Sequence, residues 1–197
     1  MFGMFKKAET GGTPPLRRAQ LQPRIKHPQF LKALQAAGVP QEQLPATTAL
    51  CGELLVTYAF DLDDSFMVAT PALLAQAGVG AAELAPLALA NLLRVLPQPE
   101  YFTKERCGLA YTGHDLEATL LLVDAIWDQM QPNFAGEIVV TAPRRDRLLM
   151  CDSADVKALA SLRLQSAAFF NEHDDAHRLS TQLMVRRAGA WSLFDAH

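Results

Sequence analysis

Two aspartates one residue apart, Asp61 and Asp63, close an apolar run that begins at Leu54 and reaches Phe60. In such a place one carboxylate could attack phosphorus while the other protonates the leaving group, with Mg²⁺ neutralising the developing charge. Asp152 and Asp155, after the run Leu148–Cys151, offer further acids for the metal, and Lys104 or Lys157 would have to supply a cation. Chain geometry favours a different reading. Phe66-Met67-Val68 resumes the strand pattern directly after Ser65, which puts Asp61, Asp63 and Asp64 at the tip of a hairpin.

The Asp61–Ser65 motif resembles the nucleophile loop of the haloacid dehalogenase-like phosphatases, and the resemblance implies a Mg²⁺-dependent phosphohydrolase using Asp61 and Asp63. It departs from that family in three respects. Cys151 stands before Asp152 where Gly is usual, the Asp152–Asp155 spacing is one residue short, and neither lysine has a recognisable setting. A parallel sheet would also lead the nucleophile strand toward a helix, not straight into a second strand. No catalytic residue and no cofactor is therefore expected, with Mg²⁺ and the Asp61/Asp63 pair kept as the enzymatic alternative.

Other constellations are weaker. His173-Asp174-Asp175-Ala176-His177 has enough ligands for a metal, but follows a helix as a polar loop, where zinc ligands are seldom held rigidly. Arg144, Arg145 and Arg147 could grip a phosphate or carboxylate, although exposed turn residues look the same in sequence. Glu117 and Asp124 could form an acid–base pair; with Asp128 they also fit the solvent edge of one helix. Cys51, Cys107 and Cys151 are odd in number and widely spaced, as expected of reduced thiols in the cytoplasm.

The elements that would position these residues follow from patterning. Residues 27–37 read as a helix with Pro28 in its opening turn and Gly38 after its end. Thr70-Pro71 starts another, capped by Thr70, and a longer helix spans about 81–96. Asp115–Met130 is the strongest helical pattern, with Trp127 inside it. Ile138–Thr141 and Leu148–Met150 flank the arginine turn, a helix reaches about Glu172, and Leu183–Phe194 forms a closing hairpin. Leu54–Leu74 and Ile138–Leu159 thus share one layout: strand, charged turn, strand, capped helix. Short links between neighbouring strands favour antiparallel pairing. The expected class is α+β, a single domain with a mainly antiparallel sheet of hairpins packed against several helices.

Charge is uneven along the chain. Residues 1–26 carry +5 and the remainder −8, within a total of −3. The first 26 residues, rich in Gly and Pro, are expected to be a flexible basic arm ahead of a domain over 27–197. An acidic body is a poor nucleic-acid binder, since phosphate contacts need clustered Lys and Arg. No apolar run approaches the roughly 18 residues of a membrane span, and no secretory signal core follows Lys7, so a cytoplasmic location without membrane insertion is expected.

Taken in order, several segments resemble the YtpQ-like family of bacterial proteins, which has no assigned activity. They are the Leu55–Val68 hairpin, Thr70-Pro71-Ala72-Leu73-Leu74, Ala88–Leu92, Glu117–Val123 with Trp127, Pro143–Leu149, and His177–Ser180. The resemblance covers roughly residues 50–194 and implies a fold without a reaction. The leading expectation is a non-enzymatic interaction protein, an adaptor or immunity protein. Its exposed Asp61, Asp63, Asp64, Asp174 and Asp175 would meet another protein with a basic surface. The third expectation is a small anionic-ligand-binding module using Arg144, Arg145 and Arg147.

Overall fold

The computed structural model describes residues 16–62, 65–173 and 176–194. Its first strand, β1 (Leu21–Lys26), lies where the flexible arm was expected, so the ordered fold begins before residue 27. Alternation explains why. Leu21 and Ile25 are buried on one face while Gln22, Arg24 and Lys26 take the other, the period-2 pattern of a strand between two environments. Pro23 disguises it. A proline is tolerated here because β1 is an edge strand, with β3 as its one strand partner among the described residues.

After β1 come α1 (Gln29–Ala36), β2 (Thr47–Cys51), β3 (Leu54–Leu62) and β4 (Ser65–Val68). β3 is the spine of this first sheet. One edge pairs antiparallel with β1; the other pairs with β2 over its first half and β4 over its second. Ala69 closes the seam between those two, donating to the Tyr58 carbonyl and accepting from Ala46 N–H. Asp61 opposite Phe66 and Leu62 opposite Ser65 establish the expected hairpin. Residues 63 and 64, and with them Asp63 and Asp64, lie outside the described residues.

Helix α2 (Pro71–Gln76) begins as expected, with Thr70 Oγ1 accepting from Leu73 N–H at 3.3 Å. α3 (Ala81–Val95) packs on β1, where Asn91 donates to the Arg18 and Leu21 carbonyls at 2.8 and 2.9 Å. β5 (Glu100–Lys104) and β6 (Cys107–Tyr111) then open the second sheet.

The segment expected as one long helix, 115–130, is broken. A 3-10 turn covers Glu117–Leu122, and α4 (Asp124–Met130) starts anew after Val123. Tryptophans mark the break. Trp127 Nε1 donates to the Leu120 carbonyl, which also accepts from Val123 N–H, and Trp191 Nε1 donates to the Leu121 carbonyl, each indole bond at 2.8 Å, so the indoles add donors to carbonyls where the helical ladder is interrupted. The two rings meet edge to face, 5.1 Å apart at 89°.

β7 (Ile138–Arg144), β8 (Arg147–Asp152), α5 (Val156–Glu172), β9 (Met184–Arg187) and β10 (Ala190–Leu193) complete the chain. The second sheet runs β10-β9-β7-β8-β6-β5, antiparallel throughout. Its faces divide by alternation. Ile138, Val140, Leu148 and Met150 join Leu54, Val56 and Phe60 in a core shared between the sheets, while Val139, Leu149 and Cys151 pack under Ala158 and Leu162 of α5. Each fully buried Leu or Phe in these cores contributes about 1.5–3 kcal/mol. The class is α+β with antiparallel sheets, as expected. The two similar strand–turn–strand–helix units fall in different sheets.

A turn at Gly52 locks the sheets together. Its φ of +53° is left-handed, and a Cβ there would run into Gln182 Oε1 and lie 2.8 Å from Leu193 Cδ2. Gln182 returns two bonds, accepting from Glu53 N–H at 3.1 Å and donating to the Cys51 carbonyl at 2.9 Å.

Candidate ligand site

The outer face of the first sheet is not flat. Arg24, Lys26 and Phe66 rise from it as long side chains, but Thr57 and Ala59 between them are short, so the register of β1, β3 and β4 leaves a hollow. Phe30 of α1 walls one side. His114, Asp115, Ala118 and Thr119 come from the stretch before and within the 3-10 turn, and Arg145 from the β7–β8 turn. The cavity measures about 210 Å³, below the ~300–1,000 Å³ of typical small-molecule pockets, so its occupant would be compact.

Three bonds brace the roof of the hollow. Ala118 N–H donates to the Arg145 carbonyl at 3.0 Å. Glu117, 2% exposed, turns its carboxylate inward to accept from Thr112 and Gly113 N–H at 2.8 and 3.2 Å. Glu117 is thus a buried structural acid, not part of a solvent edge shared with Asp124 and Asp128. Those two are exposed and hold Arg186 at 2.9 and 2.6 Å.

The electrostatics of the hollow are lopsided. Among the described residues neither Arg24 nor Lys26 has a carboxylate within ion-pair distance. Each instead lies over an aromatic ring, Arg24 at 4.3 Å from the Phe66 centroid and Lys26 at 5.2 Å from that of Phe30. Burial, then the Arg145 and Arg24 guanidiniums, push the Lys26 ammonium below its ordinary pKa. Burial likewise lowers Arg24; Asp61 opposes the shift and Arg145 adds to it. Arg145 pairs with Asp115 at 2.8 Å, yet its Nε is a buried donor with no hydrogen-bond partner. Three cations therefore share a half-buried space with one carboxylate.

The residues singled out by sequence are distributed unevenly. Asp61 lies beside the hollow: it accepts from Gln22 Nε2 at 3.1 Å, and Gln22 Oε1 accepts from Arg24 at 3.2 Å. That relay orients a cation, and Asp61 sits in a strand paired antiparallel, not at a strand end leading into a helix. Of the arginine trio only Arg145 reaches the cavity. Arg144 is 4% exposed, correcting the expectation of an exposed turn, and donates to the His173 carbonyl at 2.9 Å. Arg147 pairs with Asp146 at 2.8 Å and lies over Phe169. Asp174 and Asp175 lie outside the described residues. Arg24 and Lys26, assigned to the arm, are the functional candidates that patterning missed. The signal was the alternation of Leu21, Pro23 and Ile25 with Gln22, Arg24 and Lys26.

Three other groupings are structural. Asp115, Asp146 and His177 bring one ligand atom each within 4.8 Å of one another. Guanidiniums already balance both acids, however: Arg145 on Asp115, Arg144 and Arg147 on Asp146. Ser180 Oγ donates to Glu53, whose other oxygen is 3.1 Å from His27 Nε2. The carboxylate stands between serine and imidazole, so His27 cannot deprotonate Ser180 directly and the trio clamps the β2–β3 turn. The three thiols are buried and free, and burial pushes Cys151 up to about 12, far from a nucleophile's range. No helix among the described residues is long and apolar enough to cross a membrane.

No protein-family model, no curated protein and no solved structure matches the chain.

Proposed function

We propose that the chain is a binding module for a small anionic ligand, held in the hollow between β1, β4, α1 and the Glu117–Leu122 turn. The observation that carries this is the pair of half-buried cations, Arg24 and Lys26, which among the described residues make no direct ion pair and line one cavity with Arg145. Burying like charges together is costly in the free protein, and an anion entering the space removes that cost. Phe30, Phe66, Val68 and Ala118 supply apolar walls for the rest of the ligand. The reading extends the small-ligand expectation while replacing Arg144 and Arg147 with Arg24 and Lys26.

The adaptor or immunity reading, with a basic protein as partner, draws on the acidic balance of the chain. Of the five aspartates assigned to the partner-facing surface, only Asp61 lies among the described residues, and it is engaged with Gln22. Kinship with YtpQ-like proteins stays a proposal that rests on the order of the segments. Thermal denaturation tests the binding reading. Small anions should raise the melting temperature of the wild type at constant ionic strength, and an Arg24→Gln, Lys26→Met double variant should lose that response. A wild type indifferent to every small anion would remove it.

A further inference from the structure

Charge counting within the cavity says more about the occupant. Its lining carries Arg24, Lys26 and Arg145 against Asp115 alone, a local excess of two positive charges in a chain whose total is −3. Asp115 is placed unusually. Its backbone has φ of +54°, a left-handed conformation that non-glycine residues adopt at some cost, and its side chain is 48% exposed. The carboxylate reaches Arg145 through a single 2.8 Å contact, leaving Arg145 Nε without a partner. One nitrogen of the guanidinium is thus paired while Nε is buried and unpaired, so a fork that matches a two-oxygen anion is held at a single point.

We infer, building on the anion-binding reading, that the occupant is a compact dianion and that Asp115 is the resident carboxylate it displaces from Arg145. With Asp115 displaced, two negative charges offset most of the charge of the three cations, and the ligand's oxygens take the place of the Asp115 carboxylate on Arg145. Asp115 then sets selectivity. It lowers the attraction for any anion, so a single charge gains too little to displace it, whereas a doubly charged one interacts with all three cations. The shared chemistry is two negative charges on a small body, carried either by a phosphate group or by a short dicarboxylate.

Isothermal titration calorimetry at pH 7.5 and constant ionic strength separates these ideas. The probes are inorganic phosphate, succinate and acetate, titrated into wild type, Asp115→Asn and Asp115→Gly. Asn and Gly both accept positive φ, so these variants keep the turn. Phosphate or succinate should bind wild type at least about tenfold more tightly than acetate, a factor equal to about 1.4 kcal/mol. Asp115→Asn and Asp115→Gly should tighten the dianion about tenfold further. Preference for phosphate over succinate, or the reverse, identifies the source of the charge. Binding of all three anions with equal affinity would overturn the dianion assignment. Dianion binding that is unchanged or weaker in both Asp115 variants would overturn the displacement role. In either case the anion site itself would stand. Only a wild type that binds none of the probes would overturn the site.

Discussion

Replacing Lys26 with Met should make the ligand-free protein more stable and its response to anions weaker. Arg24 and Lys26 project from alternate positions of β1, so their Cα atoms are about 6.6 Å apart at ~3.3 Å per residue. Two unit charges at ~7 Å repel by about 2.4 kcal/mol at an effective dielectric constant of 20 and about 0.6 kcal/mol in water. Met keeps an unbranched apolar stem of similar length. It gives up the contact of the ammonium with Phe30, worth about 0.5–1 kcal/mol at an open site. The balance is a gain on the order of 1 kcal/mol, or about 2–4 °C in melting temperature for a domain of this size. The depressed pKa of Lys26 gives the gain a pH signature. The charged form is the one folding disfavours, so its cost is complete below the folded pKa and is relieved as pH rises through that value toward the unfolded one. The advantage of Lys26→Met should thus be full below the folded pKa of Lys26 and shrink as pH rises through it. The assay is calorimetric melting at low salt with and without phosphate. At a hundredfold excess over its dissociation constant a ligand adds about 2.7 kcal/mol to the wild type, and the variant should recover less than half of it. A variant that melts below wild type without anions, and still gains as much from phosphate, would refute the idea of an uncompensated cation.

Other expectations concern the cavity and its supports. Ala59→Leu should fill the hollow from its floor and abolish anion-dependent stabilisation, with little loss in the ligand-free melting temperature; a drop of the size expected for overpacking, about 1–3 kcal/mol, would mean the space is not there. Gly52→Ala should cost at least about 1–2 kcal/mol from its left-handed backbone alone, read as a shift in the urea midpoint, because Gln182 and Leu193 also crowd the new methyl. Glu83 accepts from Arg18 and from Gly80 N–H, and Arg18 chiefly lowers its pKa to about 2. Its carboxyl carbon should titrate near that value by NMR and move up toward 4.5 in Arg18→Ala. Because the folded pKa is the lower one, whatever this exposed pair contributes is present above about 4.5 and lost as pH falls through about 2.

Local signals were readable where one residue type has one structural use. Thr70-Pro71 predicted a capped helix start because Thr accepts a backbone N–H and Pro needs none, and that is the start observed. The Leu55–Val68 hairpin and the antiparallel α+β class followed from alternation and short links. Alternation was also present in residues 21–26, but Pro23 and the basic residues around it looked like a tail. Only pairing with β3 shows that they form an edge strand.

What the sequence could not decide was which distant groups meet. The pattern over 115–130 scores as one helix, because helical spacing does not record that Trp127 and Trp191 will claim the Leu120 and Leu121 carbonyls. Glu117 fits a solvent stripe until the Thr112–Gly113 backbone turns back and donates to it. The three arginines of residues 144–147 look alike in sequence. Folding buries Arg144, ties Arg147 to Asp146, and sends Arg145 to join Arg24 and Lys26, about 120 residues away along the chain. Sequence by itself determined the class and those elements whose signals lie within a few residues, such as the Thr70-Pro71 helix start and the Leu55–Val68 hairpin. The hollow and its charge were decided only by tertiary structure. Electrostatic interaction depends on distance and burial, and neither exists until the sheets and the roof above them have packed.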